Sequence, residues 1–281
     1  MVSKHRLLMI ASMLCLAWTV SPRAQAKNTL NCTMVDENDK PIAKQEFTLT
    51  SGTGKQQKKK TNDEGQAKFG GLDDGTYTLS AELPGFVAGK SAPMEVSGNA
   101  EKPCKYTLVS AAYANSKLQE VMGLVQQKKF TEAEAAAKKL VEVMPGEGAA
   151  HYVLAVTYAY EGKDEAGPEI KKAVELSPEK FKDKELPIQM QALNQQAENA
   201  KQKKDFPAAI GKYEQMLTMS PNDPTVLYNM AVTYAAANQL DKAITNIDKV
   251  LVIKPDDAEA KQMKARLEKL FDDLINKKLE K

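Results

Sequence analysis

The stretch PTVLYNMAVTYAAANQLDKAITNIDKVLVIKP, residues 224–255, decides the fold of the second half of the chain. Its apolar residues recur at spacings of three and four on either side of a short central turn, a pattern typical of two amphipathic helices. The second helix stops at Pro255, because proline cannot continue a helix. The stretch therefore predicts two helices joined by a tight turn.

Much of this pattern occurs more than once. AVTYAYEGKDEA starts at Ala155 and AVTYAAANQLDKA starts at Ala231, and an aromatic residue precedes each copy. The small or apolar residue at the crossing point of each first helix is Val121, Ala155, Ala197 or Ala231, with spacings of 34, 42 and 34 residues. A period of 34 with helix–turn–helix content resembles the tetratricopeptide repeat, which implies a stacked helical array.

The resemblance implies four repeats within residues 111–255, at 114–145, 148–178, 190–221 and 224–255. The long central spacing is explained if EKFKDKELPIQ, after Pro178, lengthens the link between the second and third repeats. Pro168 predicts a helix start, because its missing N–H is harmless only in the first turn. Residues 256–281 are expected to form a capping helix that covers the last apolar face and turns its charges to solvent.

Residues 27–110 have a different character, with short alternating segments separated by Gly, Pro and Asp. Every second residue is apolar in several segments, which predicts strands with one buried face. We therefore expect a small antiparallel β-sandwich before the helical solenoid, so that the fold class is β followed by α. The lysine-rich run from Lys55 to Lys60 predicts a solvated hairpin tip.

The sandwich resembles the carboxypeptidase regulatory-like domain, a prealbumin-like fold. The resemblance lies in the turn from Asp36 to Ile42, the turn from Thr61 to Gly65 and the strand from Gly75 to Leu79. It implies an accessory module without catalytic residues. Related sandwiches bind starch, so a carbohydrate-binding module on a helical spacer is the alternative function. Tyr77, Phe86 and Tyr106 are the few aromatic residues that could form its sugar platform.

Residues 1–26 predict export. Lys4 and Arg6 precede an apolar stretch from Leu7 to Val20, and Ala24-Gln25-Ala26 forms a small-x-small cleavage site. This order is typical of a secretory signal cut after Ala26, and the apolar stretch is short for a membrane span. An uncleaved anchor is the alternative. We expect a periplasmic or extracellular protein.

The charge and the residues of the mature chain exclude several functions. Loss of 1–26 leaves 36 basic against 37 acidic residues, so no global field attracts nucleic acid. His151 is the only histidine left, and it occupies a position where the repeat packs an aromatic ring, so we assign it to packing. Without a second histidine or a CxxC, we expect no metal site, no cofactor and no enzyme.

The two cysteines left after cleavage, Cys32 and Cys104, lie on the first and last predicted strands. First and last strands of Greek-key sandwiches often lie side by side, and an exported chain meets an oxidising compartment. We therefore expect a Cys32–Cys104 disulfide. Two buried free thiols are the alternative, since cysteine is also a good small core residue.

The sequence favours a non-enzymatic scaffold that binds a peptide or protein partner of unknown identity. The first helices of the repeats would line a concave groove. The candidate residues come from the second, third and fourth repeats: Tyr152, Val156, Tyr160, Asn194, Glu198, Lys201, Tyr228 and Val232. Packing between helices is the alternative role for Tyr152 and Tyr228.

Overall fold

A computed structural model describes residues 27–98 and 100–279 of the 281-residue chain. The predicted leader, residues 1–26, lies outside the described residues. The described part is a β domain followed by helices, which confirms the predicted fold class. None of its helices combines the length and the apolar character needed to cross a membrane.

The β domain contains eight strands within the described residues. They are β1 (Asn28–Val35), β2 (Glu46–Ser51), β3 (Gln56–Lys60), β4 (Gln66–Leu72), β5 (Gly75–Ala81), β6 (Gly89–Lys90), β7 (Met94–Val96) and β8 (Glu101–Thr107). One sheet has the order β4-β1-β8, and the other has the order β3-β2-β5-β6 with β7 also paired to β5.

Side chains from both sheets meet in one core, because each strand turns alternate residues inward. Phe47 of β2 and Phe69 of β4 are buried and meet edge to face, with ring centroids 5.1 Å apart. Leu30, Met34 and Leu79 fill the space around them. The alternation of apolar residues along these strands therefore predicted their buried faces correctly.

The pairing of β1 with β8 differs from the expected antiparallel pattern. These two strands are parallel, with Cys32 opposite Cys104, while the other strand pairs are antiparallel. Parallel strands need a long crossover connection. Here the crossover is the run of strands that lies between β1 and β8 in the sequence, most of which forms the second sheet.

The lysine-rich segment is an edge strand instead of the predicted hairpin tip. Gln56–Lys60 forms β3 and pairs with β2 from Thr50↔Gln56 to Glu46↔Lys60. An edge strand pairs its backbone on one side only and tolerates exposed lysines, which also discourage edge-to-edge association. Charge alone could not separate this strand from a loop.

Nine helices follow within the described residues. They are α1 (Ala111–Gln126), α2 (Phe130–Val143), α3 (Gly148–Glu161), α4 (Ala166–Leu176), α5 (Pro178–Gln202), α6 (Phe206–Met219), α7 (Pro224–Ala236), α8 (Leu240–Ile253) and α9 (Ala258–Leu279). Helix α4 begins two residues before Pro168, so this proline lies in the first turn, where its missing N–H is harmless.

The residues predicted at the helix crossings are fully buried. Val121, Ala155, Ala197 and Ala231 have no exposed surface, as close approach of two backbones requires. The apolar side chains form two clusters, and α5 contributes to both. Phe181, Ile188 and Ala192 join the cluster of α1–α4, whereas Ala197 belongs to the cluster of α6–α9.

The extra residues after Pro178 are helical, which corrects the expectation of a lengthened link. They form the first turns of α5, a helix of 25 residues. Pro187 lies inside this helix and has no N–H to donate to the Asp183 carbonyl, which disfavours a helix there. Tertiary packing outweighs this cost, because Phe181 is buried against Tyr152 with ring centroids 5.0 Å apart.

The last helix covers the array only in part. Ala260 and Leu267 of α9 are buried in the cluster that includes α8. Further along α9, Leu270, Phe271, Leu274 and Ile275 are 36–53% exposed. The capping helix therefore exposes four apolar side chains as well as the charges that were expected to face solvent.

The β domain and the first helix share a hydrogen-bonded joint. Ser110 is the N-cap of α1, and its hydroxyl accepts a bond from the Tyr113 amide. The Glu37 carboxylate, from the turn after β1, accepts bonds from the Ser110 hydroxyl at 2.6 Å and the Ser110 amide at 3.0 Å. One carboxylate of the β domain thus holds the residue that starts the helical region.

A second contact lies between the loop after α2 and β6. A Cβ atom on Gly146 would collide with the backbone of Lys90, so only glycine permits this approach. A cavity of about 240 Å³ opens beside the contact, and Lys90, Lys105 and Glu147 are among its lining residues. The two regions therefore touch at this cavity as well as at Ser110.

Candidate groove on the first helices of the repeats

On α3, the three predicted groove residues have different environments. Tyr160 is 43% exposed and lies parallel to Phe130 of α2, with ring centroids 6.4 Å apart. Tyr152 is half-buried and stacks on Phe181, which favours the packing alternative for its ring. Val156 is 3% exposed and belongs to the core, so it cannot contact a partner in this conformation.

On α5, all three candidates are half-exposed and belong to one hydrophilic face. Asn194, Glu198 and Lys201 follow one another at i, i+4 and i+7, the spacing that places residues on the same side of a helix. The Lys201 ammonium lies 2.8 Å from the Glu198 carboxylate. This face of α5 is polar and accessible.

A tyrosine from α6 completes this group. The Tyr213 hydroxyl donates a hydrogen bond of 3.0 Å to the same Glu198 oxygen. Burial of Tyr213, together with the charge of Glu198, raises the pKa of its phenol well above the ordinary value, so the hydroxyl keeps its proton. Glu198 is thus held by two donors, and we name Glu198, Lys201 and Tyr213 the α5 cluster.

On α7, Tyr228 and Val232 are partly buried. Tyr228 packs against the core of the last helices, and burial raises the pKa of its phenol. A half-buried ring can pack between helices and still contact a bound partner, so this position allows either role for Tyr228.

A charged network that the sequence did not indicate joins α2 to the turn after α3. The Glu134 carboxylate of α2 contacts the ammonium groups of Lys138 and Lys163 at 2.7 and 2.6 Å. Hydrogen bonds from Lys138 and then Lys163 lower the pKa of Glu134. Lys163 also lies over the Tyr158 ring. The Glu134–Lys138 pair lies within α2, whereas Lys163 comes from the turn after α3, 29 residues away, so no local pattern could reveal its contact with Glu134.

The end of α3 is fixed to α5 by amide side chains. Asn199 donates to the Glu161 carbonyl at 3.3 Å, and Gln196 donates to the Asp164 carboxylate at 2.8 Å. Gly162 has a φ of 72°, and a Cβ there would press on Asn199 and Gln196. The turn after α3 is therefore closely packed on the helix that carries the α5 cluster.

His151 is buried, which confirms the packing role predicted for it. Its Nδ1 lies 2.6 Å from the Glu169 carboxylate, and its Nε2 lies 3.1 Å from the Pro145 carbonyl. Both ring nitrogens are engaged with protein atoms of α4 and of the loop after α2. Neither is directed at an open site where a substrate could bind.

Cys32 and Cys104 are neighbours on the parallel pair β1 and β8. Their Cα atoms are 4.4 Å apart, and the sulfur atoms lie within bonding distance. This position agrees with the expected cross-link between the first and last strands. The oxidation state in the native compartment stays a prediction.

The aromatic residues of the carbohydrate alternative do not form an exposed platform. Tyr77 and Tyr106 are 7% and 5% exposed, and each donates its hydroxyl proton to a backbone carbonyl. Phe86 is half-buried and packs against the same core. Stacking on a sugar needs an open ring face, which the buried rings of Tyr77 and Tyr106 do not offer.

Within residues 27–98 and 100–279, no group of three or more His, Cys, Asp or Glu residues is placed to hold a metal ion.

Comparison with known proteins identifies both regions. Residues 200–267 match the model of the tetratricopeptide repeat, and residues 28–106 match that of the prealbumin-like fold domain. The chain joins a prealbumin-like domain to tetratricopeptide repeats. The tetratricopeptide resemblance and the prealbumin-like fold of the sandwich are therefore confirmed. No curated protein matches the chain at a significant level.

Several solved structures are similar to parts of the chain. MamA from Desulfovibrio magneticus RS-1 is 18% identical, with a TM-score of 0.38, over 57% of this chain and 86% of that one. The Bacillus anthracis TIE protein is 29% identical, with a TM-score of 0.27, over 30% of this chain. The present chain spans 17% of the length of the TIE protein.

BcpA, the major pilin subunit of Bacillus cereus, is 21% identical, with a TM-score of 0.25. The match covers 29% of this chain and 28% of that one.

Proposed function

We propose that the chain is an exported, non-enzymatic adaptor whose tetratricopeptide repeats bind an extended segment of a protein partner. The binding surface is the groove lined by the first helices of the repeats, α3, α5 and α7. Tetratricopeptide repeats form protein-interaction scaffolds, and this fold gives the proposal its starting point.

One observation carries the choice of surface. The candidates occupy equivalent positions in three repeats, three residues before and one residue after the buried alanine of each first helix. Tyr152 and Val156 flank Ala155, Asn194 and Glu198 flank Ala197, and Tyr228 and Val232 flank Ala231. Stacked repeats align equivalent positions, so these residues define one line across the array.

The exposure of these candidate residues favours α5 as the centre of the binding surface. The pair on α3 is taken up by packing, since Val156 is buried and Tyr152 stacks on Phe181. The pair on α5 is half-exposed and polar, and Lys201 extends it by one turn. A segment in this groove would form hydrogen bonds with Asn194 and Glu198 and contact the exposed ring of Tyr160.

The α5 cluster reduces the cost of binding. Tyr213 and Lys201 hold the Glu198 carboxylate in place before a partner arrives, so little side-chain entropy is lost on binding. A fixed carboxylate recognises N–H donors, including backbone amides and basic side chains. We therefore propose that the bound segment presents amide or cationic donors opposite Glu198.

Two features support export and a non-catalytic role. The leader-like residues 1–26 and the neighbouring Cys32 and Cys104 suit an oxidising compartment outside the cytoplasm. The only histidine after residue 26, His151, is buried and bonded on both ring nitrogens. The groove candidates also include no activated nucleophile with an adjacent base.

Site-specific photo-crosslinking in the native cell envelope tests this proposal. A benzophenone amino acid replaces Asn194, Tyr160 or, as a control, Lys171, which is exposed on the second helix α4. We expect the same adduct from positions 194 and 160 and none from 171. The partner identified from that adduct should bind the Glu198→Ala variant roughly tenfold more weakly, the loss of one charge-assisted bond.

Equal adducts from all three positions would show that capture is not specific to the groove. Adducts from 171 alone would place the interface on the other helices. Either result would overturn the proposal, as would unchanged affinity of the folded Glu198→Ala variant.

A further inference from the structure

Strand β3 presents an open backbone edge on the prealbumin-like domain. It lies at the end of the order β3-β2-β5-β6 and pairs with β2 alone among the described strands. The pairing is regular over the whole of β3, from Thr50↔Gln56 to Glu46↔Lys60. The other side of this strand therefore has no strand beside it.

The hydrogen bond at the end of this ladder shows which groups face the open side. The Thr61 amide donates to the Gln45 carbonyl, so these two residues form a hydrogen-bonded pair. Such pairs alternate with non-bonded pairs in an antiparallel ladder, so every second residue counted back from Thr61 turns its N–H and C=O groups to β2. The residues between them turn the same groups to the open edge: Gln56, Lys58 and Lys60. The backbone groups of these three form no hydrogen bond elsewhere in residues 27–98 and 100–279.

The other edge strands of this domain are protected by their shape or by a neighbour. β6 and β7 are two and three residues long. β4 loses its regular register where Gly70 and Gly71 lie, and β8 faces the loop after α2 across the cavity described above. Short length, bulges, cover and charge are the usual ways to protect an edge, and β3 has only charge.

Lysine side chains supply this charge. Lys58 and Lys60 are exposed and lie on the outer face of the sheet with Glu46. Glu46 lies opposite Lys60 and forms an ion pair of 3.2 Å with Lys58, so one carboxylate serves two ammonium groups. Lys55 and Lys59, also exposed, add two further positive charges. The open edge of β3 is therefore positively charged.

From this edge and its charge we infer that β3 binds an acidic, extended peptide segment, which adds to the sheet as an antiparallel strand. In this mode of recognition, main-chain hydrogen bonds give affinity and alternate side chains give specificity. Opposite charges directly across an antiparallel pair are stabilising. The segment therefore carries Asp or Glu at positions i and i+2, opposite Lys58 and Lys60. This surface is separate from the groove of the repeats and does not depend on the proposed function.

Two other occupants fit this edge less well. A second copy of β3 would place lysines against lysines, the arrangement by which edge strands avoid one another. A polyanion without a peptide backbone would pair with the ammonium groups but leave the N–H and C=O groups of Gln56, Lys58 and Lys60 without partners. An acidic peptide uses both the charges and the backbone.

Fluorescence anisotropy of a labelled peptide, titrated with the full chain, tests the inference. The probe is a short peptide of alternating glutamate and threonine. Lys58→Gln with Lys60→Gln should weaken its binding roughly tenfold, because both cross-strand ion pairs are lost. Lys182→Gln with Lys184→Gln is the matched control, since it removes the same charge from exposed residues of α5.

N-methylated forms of the probe test the backbone pairing at constant charge. The peptide residue opposite Lys58 turns its N–H toward β3, so methylation of the glutamate nitrogens removes the donors that would pair. Methylation of the threonine nitrogens blocks only the far edge of the added strand. We expect the first peptide to bind at least roughly tenfold more weakly than the probe, and the second to bind like it.

Four outcomes would overturn the inference. They are no measurable binding of the probe, equal affinity of the two N-methylated peptides, equal binding by the parent chain and the Lys58→Gln, Lys60→Gln variant, and equal losses in that variant and its control. Matching circular dichroism spectra and melting temperatures show that the variants fold alike. Inorganic polyphosphate that binds the parent chain more tightly than the probe, and loses affinity in the same variant, would assign this edge to a polyanion instead.

Discussion

The prealbumin-like domain and the repeats build their cores in different ways. In the β domain, two sheets close around a single cluster, and the first and last strands lie side by side. In the helical region, each core forms between neighbouring helices, and two clusters meet along α5. The first region can be stabilised by one link between its ends, whereas the second depends on a helix shared by its two halves.

This difference predicts that a cross-link between Cys32 and Cys104 stabilises the β domain alone. The two residues are separated by 72 positions, and closing a loop of that size contributes about 4 kcal/mol in the chain-entropy model. Reduction, or Cys32→Ala with Cys104→Ala, should lower the unfolding free energy of the β domain by this amount. The melting temperature of the β domain should fall accordingly. The helical transition, followed by far-UV circular dichroism, should not move.

Thiol titration of the denatured, unreduced protein from its native compartment provides the matching chemical test. Cys32 and Cys104 should give no free thiol. Two titratable thiols would contradict the cross-link, and equal destabilisation of both transitions would contradict the independence of the two cores.

The shared helix predicts the next largest effect, this time in the repeats. Phe181→Ala removes a buried ring between α5 and Tyr152, which should cost about 3 kcal/mol of unfolding free energy. Leu186→Ala is the control in the same extension, where the side chain is 45% exposed and the loss should stay below about 0.5 kcal/mol. Urea unfolding of both variants measures the difference. Equal losses would show that the extension is not anchored by Phe181.

The α5 cluster predicts a smaller effect within the same helix. Tyr213→Phe deletes the hydroxyl that donates to the Glu198 carboxylate, which should cost about 1.5 kcal/mol. Tyr234→Phe is the matched control, because Tyr234 is also buried and its hydroxyl makes no hydrogen bond within the described residues. Thermal or urea unfolding should show a larger loss of stability for Tyr213→Phe than for Tyr234→Phe. Equal losses would contradict a stabilising hydrogen bond from Tyr213 to Glu198.

The hydrogen bonds between Glu37 and Ser110, at the joint between the two regions, predict the smallest change in stability. This contribution to stability should depend on pH. Burial raises the pKa of the Glu37 carboxyl, but hydrogen bonds from the Ser110 side chain and amide more than offset it, so the folded pKa is lowered. The stabilisation is therefore complete above the unfolded pKa, near 4.3, and is lost as pH falls through the lower folded value.

Glu37→Gln should therefore cost about 1 kcal/mol at neutral pH and less at pH 3. Glu64→Gln, at an exposed glutamate of the same domain, is the control. Unfolding curves at the two pH values measure both. A Glu37→Gln effect that grows toward low pH would contradict the assigned role of the carboxylate.

Local patterns predicted the fold because the decisive signals are local. The alanines at the crossing points and the prolines that end repeats recur with a period, and alternation marks the buried face of each strand. Patterns failed where a distant contact decides. Pro187 argues against a helix, yet burial of Phe181 and Ile188 stabilises one. Leu270 and Leu274 of α9 are exposed, although their spacing continues the buried face of that helix.

The sequence predicts the candidate groove only in outline. Equivalent positions around Ala155, Ala197 and Ala231 follow from the period, but their exposure does not. Val156 is buried while Glu198 is half-exposed, although both follow the crossing alanine by one residue. Tyr213, which holds the Glu198 carboxylate, comes from another helix of the chain.

Hydrogen–deuterium exchange with and without the crosslinked partner tests the central claim, that the first helices of the repeats bind the partner. Slow exchange in the complex should appear in α5 around Asn194–Lys201 and in the facing parts of α3 and α7. The prealbumin-like domain and the second helices α4 and α8 should exchange as in the free chain. Protection confined to the prealbumin-like domain, or to α4 and α8, would contradict the account.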